Sequence, residues 1–143
     1  MKRKLSVILA SLLAVAMVFV IPLAIFAGDT SYGIGNVDNG YTPEGISINN
    51  AEDFANMSAD GNYYLAADIE ISATYAADFT GTLDGNGKTV TVSAPLFKNL
   101  KGTVKNLKIA GTVNVSDYDA GALAQRANGA KVNNVLNSAS VTG

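Results

Sequence analysis

The sequence predicts an all-β fold: a solenoid of stacked strands with a short N-terminal capping helix, preceded by a signal peptide. Three observations carry this expectation. An alternating stretch at residues 79–83 runs through Asp84-Gly85-Asn86-Gly87 into Thr89-Val90-Thr91-Val92, which has the period-2 pattern of a pleated strand. The plan is restated at Gly102-Thr103-Val104-Lys105-Asn106-Leu107-Lys108-Ile109 and again at Gly129-Ala130-Lys131-Val132-Asn133-Asn134-Val135. A β segment restated along a chain marks a repeat architecture. From residue 79 onward the pattern is strand and turn only, with no helical period between the strands.

The register follows from the repeats. Aligning Val104 with Val132, 28 residues on, also pairs Asn106 with Asn134, Leu107 with Val135, Thr112 with Ser140 and Val113 with Val141. Gly81-Thr82-Leu83 precedes Gly102-Thr103-Val104 by 21 residues. Unequal spacings predict rungs of one core shape joined by turns of different length. The competing fold is a β-sandwich, in which Asp84-Gly85-Asn86-Gly87 would close a hairpin.

The front end comes first in chain order. Lys2-Arg3-Lys4 precedes an apolar run over residues 5–26, interrupted only by Ser6, Ser11 and Pro22, and Ala27-Gly28-Asp29 follows. A positive n-region, an apolar h-region and a small residue at the cut form a secretory signal, here residues 1–27 with cleavage after Ala27. The run is also long enough to remain as an uncleaved anchor, since a span needs about 18–20 residues. Both readings place the rest of the chain outside the cytoplasm. A membrane contact is expected only through that uncleaved leader.

Composition then removes whole classes of chemistry. The chain has 10 basic and 12 acidic residues, and three of the basic ones lie in the leader. An acidic remainder has no electrostatic footprint for nucleic acid, so no nucleic-acid partner is expected. With no His, Cys or Trp, this chain alone builds no Ser-His-Asp triad, cysteine nucleophile, histidine-ligated zinc or disulfide framework.

Residues 28–45 are rich in Gly, Asn, Asp, Ser and Tyr without apolar periodicity and read as a flexible linker, with a short strand around Ile34. Residues 46–78 read as a cap of strand, short helix and strand. Asn50 is the expected N-cap, Glu52 and Asp53 complement the helix start, and Phe54 and Met57 share one face. Leu65, Ile69 and Ile71 form the inward set of the strand region after it. Residues 79–143 read as the rungs. They stop at a strand end, so a C-terminal truncation is expected, with further rungs or self-association at that edge.

Several of these segments resemble a known family. Asp78-Phe79-Thr80-Gly81-Thr82-Leu83-Asp84-Gly85-Asn86-Gly87-Lys88-Thr89-Val90 is similar to the "F-x-G-x-L-D-G-N-G-x-x-I" opening of right-handed parallel β-helix (pectin-lyase-like) domains in bacterial secreted or surface proteins. Pro95-Leu96-Phe97-Lys98-Asn99-Leu100-Lys101-Gly102-Thr103-Val104-Lys105-Asn106-Leu107 and Ala120-Gly121-Ala122-Leu123-Ala124 resemble GLUG repeats, with Pro95 and Lys98 in place of that pattern's glycines. The resemblance covers roughly residues 46–143. It implies a right-handed parallel β-helix and surface display, often beside catalytic domains, and no catalytic residue set within the repeats.

The expected function is therefore a non-catalytic, adhesin-like secreted or cell-surface module for adhesion, scaffolding or glycan contact. The alternatives are part of a carbohydrate-active enzyme (polysaccharide lyase or glycoside hydrolase) or an accessory module of a surface peptidase. Asp84, Gly85, Asn86 and Gly87 are expected as turn chemistry, with Asp and Asn bonding local backbone. Calcium is the cation such an oxygen-rich loop would suit, although fewer than six ligands are evident. No other cofactor is expected. Asn106 and Asn134 occupy matching places and are expected to stack as a ladder. Asp117, Tyr118, Asp119 and Arg126, on and beside an inter-repeat loop, are the candidates for contact with a polysaccharide or a host or cell-surface ligand. Lys105, Lys108 and Lys131 are expected on a solvated outer face.

Overall fold

A computed structural model describes residues 33–116 and 119–143, which lie within one compact unit, Tyr32–Gly143. The expected signal peptide and the loop residues Asp117 and Tyr118 lie outside the described residues. The order of elements is β1(Ile46–Ile48), α1(Ala51–Ala55), β2(Asn62–Leu65), β3(Ile69–Ile71), β4(Tyr75–Phe79), β5(Thr82–Asp84), β6(Thr89–Val92), β7(Phe97–Leu100), β8(Thr103–Asn114), β9(Ala124–Ala127), β10(Lys131–Asn137) and β11(Ser140–Thr142). The fold is mostly β, and every strand pairing among the described residues is parallel.

The pairings form a curled sheet and a smaller one. The larger runs β1-β2-β5-β8-β6-β3, with β10 and β11 also on β8, and the smaller runs β4-β7-β9. The 28-residue offset read from the repeats is the observed register, with Val132 beside Val104, Val135 beside Leu107 and Val141 beside Val113. The 21-residue offset is observed too, with Thr82 beside Thr103 and Leu83 beside Val104. β5 and β6 both pair with β8 and not with one another, so Asp84-Gly85-Asn86-Gly87 closes no hairpin and the sandwich alternative falls.

The 12-residue β8 shows how one strand serves two faces. Its buried residues are Val104, Leu107, Ile109 and Val113, and strict alternation is reset once, between Val104 and Leu107. The reset falls at Asn106, with φ 53°, while Ile109 and Val113 keep the same side across Gly111, with φ 110°. Asparagine tolerates this left-handed region because its short polar side chain bonds locally. One left-handed residue bends the strand and resets the alternation, so Val104 and Leu107 both face inward. The Val-x-Asn-Leu block is thus a corner. A second corner needs glycine for space: a Cβ on Gly102 would lie 2.1 Å from the Gly81 carbonyl oxygen, and one on Gly81 would lie 2.0 Å from that of Gly61. Successive turns of chain approach there closer than any side chain permits.

The core is apolar and aromatic at one end. Phe79 stacks on Phe97 with ring centroids 4.9 Å apart, and Tyr75 meets both edge-on. The helix closes this end. The Asn50 side chain caps it by accepting from the Asp53 amide at 2.9 Å, and Phe54 reaches Phe97 with centroids 5.7 Å apart. The Tyr75 hydroxyl donates to the Met57 carbonyl at 2.9 Å, so a buried phenol keeps its hydrogen bond. Burial, followed by the nearby Tyr63 and Asp60, pushes that phenol's pKa up and keeps it the donor.

Residues 46–78 differ from the expected strand, helix and strand. The single strand region read at residues 63–71 is two strands, β2 and β3, parted by Ala66-Ala67-Asp68. β4 is a further strand that alternation did not reveal, because its three central residues are all exposed. Stacking therefore begins at β1, ahead of residue 79. Leu65, Ile69 and Ile71 are buried as the inward set, joined by Tyr63.

Candidate functional site

The most constrained polar group among the described residues is Asp84. It follows inward-facing Leu83 on β5, so alternation points it away from the core, yet it is only 1% exposed. The cover comes from residues 33–45. The Tyr41 hydroxyl donates to Asp84 Oδ2. The Asn86 amide donates to Oδ1 at 2.9 Å, Asn106 Nδ2 donates to Oδ1 at 3.1 Å, and Lys105 Nζ stands 3.4 Å from Oδ2. Both carboxylate oxygens are thus engaged by protein donors, as a buried charge requires.

A polar ladder climbs from this carboxylate. Asn134 Nδ2 donates to Asn106 Oδ1 at 2.8 Å, and Asn106 donates on to Asp84. Asn106 and Asn134 share φ 53°, so both turn their corners in the same left-handed conformation and hold their amides in line. Asn86 (φ 49°) donates from Nδ2 to the Leu65 carbonyl at 3.2 Å. Gly85 donates its amide to the Lys105 carbonyl at 2.7 Å and Gly87 donates to the Asn106 carbonyl at 2.9 Å. The four residues 84–87 thereby tie one turn of chain to the next.

The segment expected as a flexible linker lies along this ladder. The Gly35 amide donates to Asn134 Oδ1 at 2.8 Å, Asn134 Nδ2 also donates to the Asn36 carbonyl at 2.7 Å, and Asn106 Nδ2 reaches the Tyr41 hydroxyl at 3.3 Å. Gly35 has φ 85°, and a Cβ there would lie 2.6 Å from Lys108 Cγ and 2.8 Å from the Leu107 carbonyl oxygen. Around Ile34 the chain forms a turn, with the Asn36 amide donating to the Gly33 carbonyl at 3.1 Å, in place of the expected strand. Residues 33–41 therefore clasp the turns carrying Asp84, Asn106 and Asn134. Tyr41, Gly35 and Asn36 are the participants that sequence reasoning missed. Nothing in their local pattern signals contacts made 99 and 98 residues away by Gly35 and Asn36, or 43 and 65 residues away by Tyr41.

The clasp responds to alkaline pH. The hydrogen bond to Asp84, then burial, raises the Tyr41 phenol above 10.0. Burial, its largest influence, pushes the Lys105 ammonium down, but the Tyr41 hydrogen bond and the Asp84 charge outweigh it, and the net shift is upward. A pKa raised on folding contributes stability that is complete below the unfolded value, about 10 for each group, and is lost as pH rises through the folded value. The expected result is a fall in stability only above about pH 10, accompanied by a tyrosinate absorbance step above that of free tyrosine. The Tyr41→Phe variant should lose the Tyr41 part of that step and keep the part due to Tyr75, whose phenol burial also raises.

The expected ligand contacts lie elsewhere. Arg126 is on β9 in the smaller sheet, while Asp84 is on β5 in the larger one. Arg126 Nε donates to Asp119 Oδ2 at 2.8 Å in an exposed pair. Next to it, Asn99 Nδ2 and Lys101 Nζ donate to Asp78 at 2.8 and 2.6 Å. Lys101 first, then Asn99, holds the Asp78 carboxyl below its ordinary range. Asp78, Asn99, Leu100, Lys101, Arg126 and Asn128 line a hollow of about 190 Å³. Lys131 is exposed as expected, whereas Lys105 is drawn onto Asp84. Among the described residues no group of three or more His, Cys, Asp or Glu side chains converges to hold a metal ion, and no helix is long and apolar enough to cross a membrane.

Fold and ladder define a strand-rich module of stacked parallel strands with its most constrained side chains tied into structural bonds. The chain belongs to the family described as the M26 IgA1-specific metallo-endopeptidase N-terminal region, which matches residues 53–143. No curated protein and no solved structure matches it.

Proposed function

We propose that this chain is a non-catalytic accessory module of a secreted or surface metallo-endopeptidase, a stiff scaffold that sets the position of the catalytic part. The observation that carries this reading is the family match, since residues 53–143 correspond to the N-terminal region of an IgA1-specific metallo-endopeptidase. Two features of the chain support it. It contains no histidine, so a histidine-ligated catalytic zinc would have to come from another part of such an enzyme. Its buried carboxylate is spent on a ladder that ties turns of chain together, a use suited to a rigid spacer.

The finer readings belong to the same proposal. The parallel pairings of both sheets, with offsets of 21 residues between β5 and β8 and 28 between β8 and β10, support a parallel β-helix, whose right hand rests on the resemblance of the GLUG-like segments. The leader and the family support an extracytoplasmic location. Adhesion through glycan contact is a second reading, favoured by the polar hollow beside Arg126 and Asn99, whose amide and guanidinium donors suit sugar hydroxyls. The test incubates the full chain with IgA1 and zinc and inspects the heavy chain on a denaturing gel. Intact heavy chain is expected, and fragments would overturn the accessory role. Retention of a polysaccharide without shortening it would support the glycan reading, while released oligosaccharide would move the chain to the carbohydrate-active enzymes.

A further inference from the structure

Asparagine followed by glycine occurs three times, at Asn39-Gly40, Asn86-Gly87 and Asn128-Gly129. In each step the glycine has a positive φ, at 86°, 71° and 73°. A glycine in that place leaves its own backbone nitrogen unshielded by any side chain, so the nitrogen can reach the preceding asparagine Cγ. The structure separates the three steps. Asn86 and Gly87 are half-buried, and both reacting groups are held. Asn86 Nδ2 donates to the Leu65 carbonyl at 3.2 Å, and the Gly87 amide donates to the Asn106 carbonyl at 2.9 Å. The Lys88 amide closes the same turn onto the Gly85 carbonyl at 2.8 Å. Asn39, Gly40, Asn128 and Gly129 are all exposed. Among the described residues no backbone hydrogen bond holds the Gly40 or the Gly129 amide. A Cβ on either glycine would meet nothing within 4 Å.

We propose that Asn39 and Asn128 are sites of spontaneous deamidation, and that the stacked turns hold Asn86 out of the same reaction. At Asn128 the Gly129 backbone nitrogen gives its proton to solvent and bonds to the asparagine Cγ. The Cγ–Nδ2 bond breaks, and the side-chain nitrogen leaves as ammonia. Water then opens the five-membered imide at one of its two carbonyls. One opening leaves aspartate; the other leaves an isoaspartyl link, in which the main chain runs through Cβ and is one methylene longer. Asn39 and Gly40 react in the same way. The product at Asn128 alters a particular place. That residue lies between β9 and β10 and lines the hollow shared by Lys101 and Arg126. Aspartate adds a carboxylate beside those two cations, and the isoaspartyl link lengthens the connection from β9 to β10. At Asn86 the attack would first have to break the bonds to Leu65 and Asn106, which tie one turn of chain to the next.

The test keeps the full chain in mild detergent and mildly alkaline buffer, where the attacking amide loses its proton more readily. Samples taken over time are digested in acid, and mass spectrometry follows the exchange of side-chain nitrogen for oxygen at each asparagine against a sample digested at the start. Circular dichroism checks that the chain stays folded. Asn39 and Asn128 should convert steadily. Asn86 should convert at least about tenfold more slowly than Asn128, because two hydrogen bonds must be given up before the attack. A parallel sample unfolded in urea should convert all three at comparable rates, since each is followed by glycine. Asn39 or Asn128 remaining intact in the folded chain after the urea sample has converted would overturn the proposal. So would Asn86 keeping pace with Asn128 in the folded chain, or lagging equally in urea, where no stacked turns protect it.

Discussion

Phe97→Ala should cost about 3–5 kcal/mol of folding stability, the usual penalty for truncating a fully buried phenylalanine. Phe97 is fully buried and sits where three parts of the chain meet. It stacks on Phe79 of β4, meets Tyr75 edge-on and meets Phe54 of the helix at a tilt. Truncation leaves a cavity beneath the helix, whose five residues are too few to stand alone. Urea unfolding should show the midpoint falling, with amides of residues 51–57 losing protection first. Phe97→Leu should recover most of the loss, because it restores volume without a polar atom. A loss under about 1 kcal/mol for the alanine variant would mean that the aromatic end is loosely packed.

Asp84→Ala is the second large effect, at about 2–3 kcal/mol, the range for deleting a hydrogen-bonded charged group. The carboxylate accepts from Tyr41, Asn86 and Asn106 and faces Lys105. Its removal leaves the Asn106 amide without its lower partner and strips the clasp of its anchor. Tyr41→Phe removes only one of those bonds and should cost about 1 kcal/mol. Chemical denaturation of the two variants side by side separates the ladder from the clasp. Equal losses would mean that Asp84 matters only as the acceptor for Tyr41.

Much of this architecture was readable in the residues. The 21- and 28-residue offsets are real registers because inward positions of stacked strands must match in shape, and Leu83, Val104 and Val132 do. Asn106 and Asn134 could be picked out because a left-handed corner favours asparagine wherever the chain repeats the bend. What stayed hidden depends on long-range contact. β4 exposes Ala76, Ala77 and Asp78 in a row, so no alternation announces it. Residues 33–45 have the composition of a linker, and their ordering comes from Asn134 and Asp84, far away in sequence. Lys105 alternates like a solvent-facing lysine, but Asp84 is its cross-strand neighbour and draws it in. The Asp84 turn was readable as local chemistry, while its burial was not, because the cover is Tyr41.

Residues 33–41 are bound to the asparagine ladder and tie successive turns of chain together. The most direct test is amide hydrogen exchange of Gly35, whose N–H donates to Asn134 Oδ1 at 2.8 Å. The expected result is slow exchange, protected to a degree comparable with the Gly85 amide inside the turn, and a return to rapid exchange in Asn134→Ala. Exchange of Gly35 at the rate of an unstructured peptide in the unmodified chain would contradict the claim and restore this segment to a free linker.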